Sequence, residues 1–100
     1  MRILHLTLKK QWFDMIASGE KKEEYREIKP HWKARLCCGF PTLLSEKDFD
    51  VVKFTNGYSK NAPCITLSWE GMDVREGRPE WGAEPRKKYF VIKLGEIVNG

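Results

Sequence analysis

Apolar and polar positions alternate weakly along Arg2-Ile3-Leu4-His5-Leu6-Thr7-Leu8, a run rich in residues that favour extended chain, and this predicts a first strand. From Lys9 the period lengthens. Trp12, Met15 and Ile16 fall at i, i+3 and i+4 with Phe13 and Ala17 beside them, which predicts an amphipathic helix packed on a sheet. Trp12 is read there as core, with ligand stacking as the alternative. Gly19 stands where a left-handed residue ends such a helix. A strand over Lys22 to Ile28 puts Lys22, Glu24, Arg26 and Ile28 on one face and Glu23, Tyr25 and Glu27 on the other. Pro30 suits the first position of a second helix, whose apolar stripe is Trp32, Leu36 and Cys37, and Gly39 and Pro41 stop it. Pro41 to Asp48 reads as a surface loop.

The second half is strand-rich. Asp50 to Thr55 has Val52 and Phe54 on one face, and Asn56-Gly57 is the strongest short-range hairpin signal in the chain. Ile65, Leu67 and Trp69 alternate with polar neighbours, Gly71 marks a bulge or bend, and Met72 and Val74 continue the strand to about Arg75. Gly77 to Pro85 reads as a loop in which Trp81 is either a lid or stacking platform, or a plug for the end of a barrel. Lys87 to Leu94 is a last strand with Phe90, Ile92 and Leu94 on one side, and Ile97 and Val98 add a short pairing. Five or six strands, two short helices and no strand–helix–strand rhythm point to an α+β fold: a small, mostly antiparallel barrel with two helices at its edge.

One hundred residues are enough for one domain, residues 1–100. No apolar run reaches the length of a membrane span and no leader pattern precedes the first strand, so a cytoplasmic protein without a membrane partner is expected. The three cysteines, Cys37, Cys38 and Cys64, include no CxxC pair, which argues for reduced thiols and against a structural metal. Residues 1–35 carry nine Lys or Arg against five Asp or Glu, while the remainder balances at nine against nine. The whole net charge of +4 thus sits in the first third, beside aromatics, as a nucleic-acid-binding face requires. Phosphate-loop, dinucleotide, zinc-protease and serine-hydrolase motifs are missing, so chemistry rests on carboxylates and lysine, or there is binding alone.

The candidate centre is Gly19 to Trp32, GEKKEEYREIKPHW. Glu24 and Arg26 share a face, and a carboxylate two residues from a guanidinium can orient that fork while leaving N–H donors for a phosphate or carbonyl edge. A solvated edge strand is the simpler reading of the same charges. Lys21 follows the helix end, where it either complements the helix dipole or points into a cleft between helix and barrel. Lys29, Lys33 and Arg35 would extend the positive surface. Tyr58 lies in a loop that is either a ligand rim or a solvated turn.

The helix-bearing segment Leu4 to Ser18, the following Gly19-Glu20-Lys21 and the extended segment with Arg26 resemble the ASCH domain, a small β-barrel family related to the PUA RNA-binding domains. Phe54-Thr55-Asn56-Gly57-Tyr58 and Gly77 to Glu84 resemble parts of small stand-alone ASCH proteins of bacteria and phages, so the likeness covers nearly the whole chain. The resemblance implies binding of RNA or a modified nucleoside between the first helix and the barrel. Lys21, Glu24 and Arg26 would form the polar floor, with Tyr25, Tyr58 or Trp81 stacking on a base; no cofactor is implied. It also permits an enzyme on the same fold, either a small amidohydrolase acting on acylated nucleosides or a ribonuclease, with Lys21 and Glu24 as catalytic candidates. In amidohydrolases of this kind the lysine works with a threonine three residues on, and that position is Glu24 here. An adaptor role through the Trp81 loop is a third reading.

Overall fold

The computed structural model describes residues 1–38, 45–46 and 49–99. In chain order it contains β1 (Ile3–Leu8), α1 (Lys10–Ala17), β2 (Glu23–Arg26), α2 (Pro30–Leu36), the short strands β3 (Cys37–Cys38) and β4 (Ser45–Glu46), β5 (Val51–Asn56), β6 (Cys64–Glu76) and β7 (Lys88–Asn99), with a 3-10 turn at Pro79–Trp81. Five strands form one sheet in the order β1-β5-β6-β7-β2, and β3 pairs with β4 in a separate ribbon. The β1–β5 pair is parallel, and the other pairs are antiparallel. The sheet forms a half-barrel.

Alternation explains the core. Leu4, Leu6 and Leu8 of β1, Val52 and Phe54 of β5, Ile65 and Leu67 of β6, and Phe90, Ile92 and Leu94 of β7 point to one side, where Phe13 and Ile16 of α1 and Leu36 of α2 meet them. Removing this apolar surface from water is the main force that holds the helices on the sheet. On the other side of β7, Tyr89 and Val91 pack with Ala83 and the ring of Tyr25. So β7 is covered on both faces by virtue of the segment that follows β6.

Several expectations change in detail. The strand expected over Lys22 to Ile28 is the shorter Glu23–Arg26. The Asn56-Gly57 signal does mark the β5–β6 hairpin, but Asn56 stays in the ladder opposite Leu8 and the connection runs through Pro63, with Gly57 at φ +87°. Gly71 marks a bend, as its place in the strand pattern implied: with φ +104° it lies where the β6–β7 register shifts between Trp69 and Met72, and β6 continues to Glu76. The expected pairing of Ile97 and Val98 belongs to β7 itself, where Ile97 opposes Leu67. Most of the expected Pro41 to Asp48 loop, with the stop signals Gly39 and Pro41, lies outside the described residues; Ser45–Glu46 within it is β4. Among the described residues no helix is long and apolar enough to cross a membrane.

Candidate functional site

The two outer strands of the sheet, β1 and β2, come within side-chain reach of each other, and no backbone ladder joins them among the described residues. Arg26 of β2 crosses this seam: its Nη2 donates to the Thr7 carbonyl at 3.3 Å. The seam is where the candidate site lies.

Three charged residues stack inward from it. After α1, the Gly19 amide donates to the Ile16 carbonyl at 3.1 Å and the Lys21 amide to the Met15 carbonyl at 3.0 Å, a closure that Gly19 permits by adopting φ +86°. The reversal sends the Lys21 side chain inward, and only 1% of the residue stays exposed. Its ammonium donates to the Trp81 carbonyl at 2.8 Å, lies 3.1 Å from Glu24 Oε1, and sits 4.8 Å from the Tyr25 ring centre and 5.5 Å from that of Trp12. Glu24 is also buried, and its other oxygen accepts from Arg26 Nη2 at 2.6 Å. Two cations thus share one carboxylate, leaving the chain Lys21–Glu24–Arg26 with one net positive charge. Burial pushes the Lys21 ammonium below its ordinary range, against the opposing pull of Glu24.

Arg26 is held as a plane rather than as a mobile tail. Its guanidinium lies 4.9 Å from the Trp32 ring centre, and its Nε is buried without a hydrogen-bond partner among the described residues. An unmet donor in a buried position is costly unless something else meets it.

A cleft of about 610 Å³ opens above this floor. Glu24 and Arg26 line it, together with Thr7, Leu8, Lys9 and Lys10 at the β1–α1 junction, Trp12 of α1, and Asn56, Gly57 and Tyr58 of the hairpin. Its volume is in the range of small-ligand sites. Lys10 is paired with Asp14 at 2.6 Å, so Lys9 is the freer cation of that rim.

The six residues singled out in the sequence therefore separate into groups. Glu24, Arg26 and Tyr58 line the cleft, and Lys21 lies beneath it in contact with Glu24. Tyr25 points the other way: its hydroxyl donates to Glu23 at 2.8 Å and accepts from the Arg78 amide at 2.9 Å, and its ring meets Tyr89 at 5.8 Å. Trp81 contributes its carbonyl to Lys21, and its ring is covered by Arg78 at 4.8 Å. Neither Tyr25 nor Trp81 lines the cleft. Trp12 packs against the core, as its core reading implied, and also lines the cleft. Lys9 and Lys10 were not singled out, although two lysines placed where a strand gives way to a helix are a signal that cations gather at that corner. The role of Trp32 as the platform under Arg26 had no signal, because it depends on how α2 folds back across the seam. Comparison of the chain with protein-family models, curated proteins and solved structures gave no match.

Proposed function

We propose that the protein binds single-stranded RNA or a nucleoside derived from it in the cleft above the Lys21–Glu24–Arg26 chain. The observation that carries this reading is Arg26: a planar guanidinium at the cleft floor, oriented by Glu24 and Trp32. A fork held in this way suits the carbonyl edge of a base or a phosphate oxygen, and the net positive charge beneath it favours an electron-rich group. Trp12 and Tyr58 supply ring faces on the walls, and base–aromatic stacking tolerates any base.

The test is titration of the protein with a short single-stranded RNA and with free nucleosides at two salt concentrations, followed by Trp fluorescence. RNA binding is expected to weaken with salt, with a log–log slope of about −0.7 for each phosphate neutralised. Arg26→Ala is expected to weaken binding by about tenfold or more, as loss of a charge-assisted hydrogen bond implies. Absence of binding, or binding unchanged by Arg26→Ala, overturns the reading.

A second reading is supported by the lowered Lys21 ammonium and its 3.1 Å contact with a carboxylate that reaches the cleft. Such a pair can move a proton during hydrolysis of an acylated nucleoside or of RNA. Release of acid from an acylated cytidine, or RNA cleavage, lost in both Lys21→Ala and Glu24→Ala with folding intact, would favour it over binding alone.

A further inference from the structure

Arg26 divides two cavities rather than closing one. On its far side lies a second space of about 270 Å³, which shares Thr7, Arg26 and Tyr58 with the first and adds His31, Trp32 and Arg35. Arg35, like Arg26, lies over the Trp32 ring, at 5.5 Å against 4.9 Å. Among the described residues Arg35 has no carboxylate within ion-pair distance; its Nη2 donates to the His5 carbonyl at 3.0 Å. Glu24, the carboxylate that serves Arg26, is already shared with Lys21. Two guanidiniums therefore lie over one indole, with fewer carboxylates beside them among the described residues than they can pair with. Tyr58 stands at the boundary of both cavities and is 93% exposed.

Resting on the nucleotide-binding reading of the first cavity, we propose that the second cavity takes the adjacent nucleotide, so that the unit recognised is a dinucleotide step. The phosphate between the two nucleosides sits against Arg26 and Arg35, supplying the missing negative charge, and the Tyr58 ring stacks on a base at the junction. The same contacts argue against an added peptide strand in this space. The outward carbonyls of β1 at His5 and Thr7 already accept from Arg35 and Arg26, so the edge lacks the acceptors that strand addition would use.

The experiment compares a 5′-phosphorylated mononucleotide with the 5′-phosphorylated homodinucleotide for each of the four ribonucleotides, by Trp fluorescence. The dinucleotide is expected to bind on the order of tenfold more tightly, the increment that one more stacked base supplies, with a salt slope steeper by up to about 0.7. Arg35→Ala is expected to remove this increment and leave the mononucleotide affinity in place. Because Arg35 also braces β1, Tyr58→Ala is measured beside it: its exposed ring leaves the fold intact, and it too is expected to shrink the increment. Equal affinity for the two ligands in the wild-type protein overturns the second subsite while the nucleoside reading stands. An increment that persists in both variants also overturns it. Failure to bind either ligand overturns both proposals.

Discussion

At the scale of single residues, the buried charge chain is asymmetric. Glu24 is the one anion between two cations, so removing it leaves the Lys21 ammonium buried without a carboxylate and deprives Arg26 of its closest partner. Removing Lys21 leaves Glu24 paired with Arg26. Glu24→Ala is expected to cost about 3–5 kcal/mol, the range for an orphaned buried charge. Lys21→Met keeps the apolar stem but leaves the Trp81 carbonyl without its donor, and is expected to cost less, about 1–3 kcal/mol. Urea unfolding of the two variants measures the difference, and equal costs would mean that Lys21 does not depend on Glu24. The sign of the Lys21 shift gives a second readout. Since burial lowers its affinity for a proton below that of the unfolded chain, its charged form opposes folding, and this opposition fades as pH rises through the lowered value towards 10.5. The wild-type protein should accordingly gain stability relative to Lys21→Met over that interval.

At the scale of elements, the segment after β6 is docked on β2 through Tyr25. The Tyr25 hydroxyl bridges Glu23 and the Arg78 amide, Glu23 also pairs with Arg75 of β6, and Gly77 comes so close that a methyl group there would lie 2.6 Å from the Tyr25 ring. Burial, with the neighbouring Glu23 carboxylate adding to it, pushes the Tyr25 phenol up from 10.0 to about 12. The raised value means that the folded state holds this proton more tightly. Its contribution to stability is complete below pH 10.0 and is lost as pH rises through about 12. Tyr25→Phe is expected to lose less stability than the wild-type protein between those limits, and the wild-type tyrosinate absorbance should contain a late step that the variant lacks. Coincident titration curves would show that the hydroxyl is not held as described.

The same docking shows where reading from sequence stops. Period-two alternation marked β5, β6 and β7 and their inward residues Val52, Phe54, Ile65, Leu67, Phe90, Ile92 and Leu94, because burial on one face leaves that imprint locally. The Glu24–Arg26 pair was legible for the same reason, as same-face neighbours on an extended segment. Tyr25 falls outside the cleft because the same alternation puts it on the face opposite Glu24 and Arg26, but its partners there, Arg78 and Tyr89, are more than fifty residues away and left no local sign. Trp81 presents a carbonyl rather than a ring to Lys21 for a similarly non-local reason. Side-chain alternation specifies a face; it carries no record of what will cover that face.

At the scale of the whole molecule, the first 35 residues, which hold the net charge, are also those that build most of both cavities: the end of β1, the start of α1, β2 and α2. Their charge should act on association and leave the fold nearly untouched, since exposed substitutions of this kind usually change stability by less than about 0.5 kcal/mol. Lys9→Glu, on the cleft rim, is expected to weaken RNA binding and make its salt slope shallower. Lys88→Glu, which changes net charge by the same amount at an exposed position outside both cavities, should have a much smaller effect. Equal losses would indicate that net charge rather than its placement governs binding.

The strand order carries a consequence for how the chain reaches this structure. Among the described residues β1 pairs with β5, where Ile3 opposes Val51, and β2 with β7, where Glu23 opposes Lys93. β1 must therefore wait for a strand past the middle of the chain and β2 for the last strand, and the long loop closures this entails are what slow the folding of sheets with distant pairings. During synthesis, the Gly19 to Trp32 segment would leave the ribosome well before the strand that holds it in place. The cleft is thus among the last features to form as the protein is made.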